Sequence, residues 1–187
     1  YTSIIVPIFN KLNPLEDGTL REKIETFAKK INFPLTNIFV IDGSKRSTKA
    51  NAYFSGLGSK KTIVLFDTLI NEQTEEELVS VLAHEVGHYK LKHIQKGMII
   101  GILQMGALLF LLSLFINKPE LSQALGLQTD TPIFHLGLIA FSLLYSPISM
   151  LTGIFMNMLS RKNEFEADNY AKENIGTGNY LISALRK

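Results

Sequence analysis

Residues 84–88 read His-Glu-Val-Gly-His. Two imidazoles four positions apart share one face of an α-helix, so His84 and His88 can turn toward a single metal ion. Glu85 follows the first histidine and projects to the side, where its carboxylate can hold a water beside the metal and take its proton. Zinc suits this set. It accepts neutral imidazole and carboxylate, and a catalytic site keeps three protein ligands and one open position.

The third ligand has to come from elsewhere, and residues 163–168 (Asn-Glu-Phe-Glu-Ala-Asp) offer Glu164, Glu166 and Asp168. Glu164 and Asp168 are four apart and share a helix face. Glu164 can then ligate the metal while Asp168 accepts a hydrogen bond from a ligating histidine or orients the carboxylate. Glu166 falls on another face and reads as a solvated charge. His93, five past His88, lies off the ligand face and reads as a surface residue at the helix end. His135 stands near the start of an apolar run and reads as interfacial.

The helix that must carry the histidines is well specified. Thr74 and Glu77 have the spacing of a capping box, and Glu75 and Glu76 add negative charge to the first turn. Leu78, Val81, Leu82, Val86 and Tyr89 recur at three- and four-residue steps and are expected to face a core. Ala83 and Gly87 form a strip of small residues that lets another element approach closely.

Upstream, residues 10–20 read as a loop, and Thr19 is placed to cap a helix over residues 20–31 whose apolar face is Ile24, Phe27, Ala28 and Ile31. Pro34 ends it. Strands are expected at residues 37–41, 51–54 and 62–66, so a small sheet precedes the metal helix, after a short turn. An exposed strand edge near a metal can bind an extended peptide through main-chain hydrogen bonds, and residues 51–54 (Asn-Ala-Tyr-Phe) are the candidate edge.

After Lys96 the composition changes. Residues 97–116 carry no charge, about the length a helix needs to cross the hydrocarbon core, and residues 133–159 form a second uncharged run interrupted by Pro147. Between them lies a polar connection. A last helix is expected to open near residue 163 and run to about residue 174. Lys90, Lys92 and Lys96 precede the hairpin and Arg161 and Lys162 follow it, whereas the connection has only Lys118 as a cation. The excess of positive charge puts both outer ends on the cytoplasmic side.

With 187 residues there is room for one or two domains, and a net charge of +2 gives no sign of nucleic-acid binding. No cysteine is present, which excludes disulfides and thiolate metal sites. The chain starts at Tyr1 without an initiator methionine and reads as a piece of a longer protein.

Taken together, LAHEVGHYKLKH at residues 82–93, the long apolar hairpin and SRKNEFEAD at residues 160–168 resemble the type I CaaX prenyl endopeptidases, integral-membrane zinc metalloproteases. SKRSTKANAYF at residues 44–54 and KKTIVLFDTL at residues 60–69 extend the resemblance nearly end to end. Lys162-Asn163 departs from the arginine and aromatic residue usual in the family.

The resemblance implies that His84, His88 and Glu164 bind one zinc ion, that Glu85 is the general base, that Asp168 supports the ligands from behind, and that Asn51 lies near the substrate. The implied fold is mainly α with a small β-sheet: a zincin-like core carrying a transmembrane hairpin, part of a multi-helix membrane barrel. Residues 1–95 then form the N-terminal part of the protease domain, residues 96–160 the hairpin, and residues 161–187 the helix that delivers the third ligand. The implied partners are membrane lipid and a peptide or protein substrate, C-terminally prenylated in this family. The implied location is the endoplasmic reticulum membrane of a eukaryote or the inner membrane of a bacterium. Two other functions fit the same residues: a membrane quality-control protease without prenyl preference, and a non-catalytic zinc-bound scaffold.

Overall fold

Leu78, Leu82 and Val86 follow one another at four-residue steps, and none is more than 2% exposed. The helix that carries the two histidines is therefore held by its apolar face, as its pattern requires. The computed structural model describes residues 12–42, 52–55 and 61–186. Its elements in order are β1 (Leu12–Pro14), α1 (Thr19–Lys30), β2 (Leu35–Ile41), β3 (Ala52–Ser55), β4 (Lys61–Phe66), α2 (Asp67–Glu72), α3 (Glu75–Lys90), α4 (His93–Phe115), α5 (Pro119–Gln123), α6 (Phe134–Ile175) and α7 (Asn179–Leu185). The fold is mostly helical with one small mixed sheet.

The chain divides into two units. One comprises Tyr1–Leu91 with Phe165–Lys187, the other Lys92–Glu164.

In the first unit the strands run in the order β1-β2-β4-β3. β2 and β4 are parallel, and the two outer strands pair antiparallel to their neighbours. β1 lies in the stretch expected to be a loop. Its Pro14 cannot donate to a ladder, which is tolerated because β1 is an outer strand. Ile24, Phe27, Ala28 and Ile31 of the α1 region are all buried, and they share one core with Ile38, Ile63, Leu65, Leu78, Leu82 and Val86.

Two other expectations about this unit are corrected. Thr19 does not cap α1, because its Oγ1 donates to the Glu75 carboxylate instead and Gly18 takes the cap position. Tyr89 is not a core residue. It is 39% exposed, its ring set edge-on to Phe33 and beneath the Lys61 ammonium.

α3 opens as expected. The Glu77 amide donates to Thr74 Oγ1 and the Thr74 amide to Glu77 Oε2, so two orphan amides of the first turn are satisfied reciprocally. Glu77 is itself buried, and its other oxygen accepts from Ser183 Oγ. Thus α7, a helix absent from the sequence-based expectation, docks its Leu181 and Ala184 inward and is pinned to the first turn of α3.

In the second unit, α4 and α6 are long and apolar enough to cross a membrane. None of the apolar window of α4 and only 11% of that of α6 is buried, which is not how the core helix of a soluble protein is packed. α5 closes one end, burying Leu121 against Phe141 and Ala140, and Ser122 Oγ accepts the Ile133 amide.

Two expectations fail here. α6 is a single helix of 42 residues containing Pro147, where a separate last helix was expected near residue 163. No glycine or proline stands between Leu159 and Asp168 to interrupt it. His93 is 4% exposed rather than a surface residue; it opens α4 just after Lys92, which adopts the left-handed region (φ 58°).

Candidate metal centre

His84 and His88 stand one turn apart on α3, both half-buried, with ring centroids 4.8 Å apart. Their Nε2 atoms approach to 3.1 Å. Two imidazole nitrogens bound tetrahedrally to one zinc at about 2.0–2.1 Å are about 3.3 Å apart, so the spacing matches a shared ion.

The tautomer of His84 is set from behind. Its Nδ1 lies 2.8 Å from Asp168 Oδ1, so Nδ1–H donates to the carboxylate and the Nε2 lone pair is left for a ligand. Glu164 sits one turn before Asp168 on the unbroken α6. A ligand atom from each of His84, His88 and Glu164 falls within 4.8 Å of the other two. The three residues can hold one metal ion. The donors are two neutral nitrogens and one carboxylate, the composition a hydrolytic zinc site uses.

A close helix contact brings Asp168 within reach. A Cβ added to Gly87 would lie 3.1 Å from Ala167 Cα and 3.2 Å from both the Ala167 carbonyl oxygen and Tyr170 Cβ. Ala83 and Ala167 are fully buried, and Ala171 nearly so. The strip of small residues on α3 is thus answered by small residues four apart on α6. That second strip is legible in the sequence as Ala167 and Ala171, four apart among the carboxylates and polar residues of this stretch.

The remaining candidates fall as follows. Glu85 is half-buried on the turn between the two histidines. Glu166 is half-buried and outside the ligand group. His135 is exposed. Asn51 lies outside the described residues. Next to it, Ala52–Ser55 forms an outer strand of the sheet, and Ala52 is buried on the core side.

The chain is similar to known proteins. Residues 14–187 match the model of Peptidase family M48. The chain belongs to that family. Among relatives of family M48, the "CAAX prenyl protease 1 homolog" of Dictyostelium discoideum is 45% identical over 175 residues, 92% of this chain and 41% of that protein. The human protein of the same name is 36% identical over 224 residues, all of this chain and 47% of its own. The "CAAX prenyl protease 1" of Saccharomyces cerevisiae is 39% identical over 195 residues, 97% of this chain and 43% of that one. The crystal structure of S. mikatae Ste24p superposes with a TM-score of 0.76 at 38% identity, covering 98% of this chain and 45% of that one. The chain therefore spans less than half the length of these relatives.

Proposed function

We propose that this chain carries the metal centre of an integral-membrane zinc endopeptidase acting on C-terminally prenylated proteins. The observation that carries the reading is the pairing of His84 Nδ1 with Asp168 beside the group His84, His88 and Glu164. A metal held with one donor histidine fixed by a carboxylate is the arrangement of a hydrolytic site. The names of the M48 relatives, CAAX prenyl proteases, support the substrate class.

His84, His88 and Glu164 are the ligands in this reading, and Asp168 orients His84. Zinc bound there supplies the Lewis acidity that acidifies a water and polarises a scissile carbonyl. Glu85 accepts the proton of the attacking water and returns it to the departing amine. The outer strand β3 offers main-chain groups to an extended substrate, and Asn51 before it holds the scissile peptide or its oxyanion. In this reading α4 and α6 cross the membrane, and the excess of cations at Lys92, Lys96, Arg161 and Lys162 supports a cytosolic side for that end of the hairpin.

The test uses the full-length protein in detergent, a farnesylated C-terminal peptide and its unlipidated twin, each with and without a zinc chelator. Chelator-sensitive cleavage of the lipidated peptide alone establishes the reading. Cleavage of both moves the enzyme to general membrane-protein quality control. Cleavage of neither by zinc-loaded protein leaves a non-catalytic scaffold. Glu85→Gln keeps its zinc and loses about 10²–10⁴-fold in turnover. Full activity of a zinc-loaded Glu85→Gln variant sinks the assignment of Glu85.

A further inference from the structure

The two ends of the apolar hairpin differ in charge. At the α5 end stand Lys118, Glu120 and Asp130, net −1. At the other end Lys92, Lys96, Arg161 and Lys162 are all exposed, followed by the acidic residues Glu164 and Glu166. The positive N-terminal end of the α4 dipole adds to the potential of Lys92 and Lys96, and no acidic residue in the first turn of α4 offsets it.

The four cations lie within about one helical turn of one another along the hairpin. Gln104 Nε2 is 3.5 Å from Thr152 Oγ1, which sets the antiparallel register of α4 against α6. Counting back from Gln104 to Lys96, and forward by the same number from Thr152, reaches Ser160, beside Arg161 and Lys162. Lys92 and Lys96 are one turn apart, about 6 Å along the axis. That matches the headgroup layer, roughly 5–8 Å deep on each side of the hydrocarbon. The uncharged runs begin at Gly97 and end at Leu159, so a membrane spanned by them would set the cations at the level of the lipid phosphates.

We propose that Lys92, Lys96, Arg161 and Lys162 form a binding site for anionic phospholipid headgroups at this end of the hairpin. The proposal rests on the reading of α4 and α6 as membrane-spanning. The charge and its position select the occupant. An acidic soluble protein or a free phosphate has no reason to meet cations that directly abut uncharged runs of this length, whereas an anionic lipid presents its phosphate and its chains at those two levels together.

The experiment reconstitutes the full-length protein in bilayers of phosphatidylcholine with a minor fraction of spin-labelled phosphatidylserine or spin-labelled phosphatidylcholine. It compares the share of each label that is motionally restricted at the protein. Wild type favours phosphatidylserine, and raised salt weakens the preference. Replacing all four cations by glutamine lowers the preference about fivefold or more, since one basic residue near the surface alone carries about fivefold. Lys92→Arg with Lys96→Arg retains it, and equal zinc content shows that each variant is folded. An unchanged preference in the glutamine variant overturns the site. Displacement of the label by inorganic phosphate at matched ionic strength overturns the lipid as its occupant. Extraction of the protein from membranes by alkaline carbonate overturns the membrane reading itself. An embedded protein without lipid preference overturns only this site.

Discussion

Nδ1 of His84 and Oδ1 of Asp168 are 2.8 Å apart although 84 positions separate them in sequence. The carboxylate fixes both the proton and the plane of the imidazole, so Nε2 of His84 presents its lone pair beside Nε2 of His88. Asp168→Asn keeps the shape but lets the amide donate to Nδ1, which favours the wrong tautomer. Zinc affinity, measured by competition with a chromophoric chelator, is expected to fall about 10–100-fold. Unchanged affinity would remove Asp168 from the site.

Gly87→Ala tests the helix contact that delivers Asp168. The new methyl meets backbone atoms of Ala167, which cannot swing aside as a flexible side chain would. Overpacking of this kind costs about 1–3 kcal/mol. A lower Tm in detergent and weaker zinc binding are expected together. A fall in Tm with zinc binding intact would show that the contact supports stability alone.

Thr74→Ala removes the side-chain acceptor for the Glu77 amide and is expected to cost about 0.5–2 kcal/mol. Glu77→Ala keeps that backbone amide but costs more, because it leaves both the Thr74 amide and the Ser183 hydroxyl without the carboxylate that accepts from them. Thermal or urea unfolding of the two variants against wild type checks the order. The reverse order would mean that α7 is not held through Glu77.

Lys23 sits between Glu75 and Glu76, at 2.7 and 2.6 Å. The hydrogen bond to Glu75, then that to Glu76, pushes the ammonium up to about 12. The hydrogen bond from Lys23 holds each of the two carboxyls below the usual carboxylate range. A raised cation contributes stability below its unfolded value and loses it as pH rises through about 12. A lowered carboxyl contributes above its unfolded value and loses it as pH falls through its folded value. The difference in Tm between wild type and Lys23→Met should therefore be flat over about pH 6–9 and shrink in acid. It should be small and salt-sensitive, since the group is open to solvent. A difference that grows in acid would contradict the pairing.

Much of the fold that positions the centre was legible because it is written locally. The capping box at Thr74 and Glu77, the apolar face of α1 and the close-approach strip at Ala83 and Gly87 each depend on neighbours within two turns, and each stands as read. What escaped depends on distant partners. β1 exists because Leu12, Asn13 and Pro14 pair with Ile41, Val40 and Phe39, and no pattern within Asn13-Pro14 announces a ladder. α7 has seven residues, too few for a periodicity, and its docking rests on Ser183 meeting Glu77. At α6 the change from apolar to charged residues suggests a boundary, but composition alone does not end a helix. The end comes at Gly176, which adopts φ 90°. Spacing narrowed the carboxylates to Glu164 and Asp168, while the direction in which each points required the contact between Gly87 and Ala167.

The first unit is written in two pieces, Tyr1–Leu91 and Phe165–Lys187, and this orders events during synthesis. The ribosome polymerises the 84 positions between His84 and Asp168 in roughly 4–17 s at about 5–20 residues per second. Through that interval the nascent chain holds two imidazoles and no partner to orient them, a poor chelator. The centre closes only after the long apolar segments have been made and handed to whatever receives them. A metal centre arranged in this way cannot assemble while the chain that completes it is still emerging.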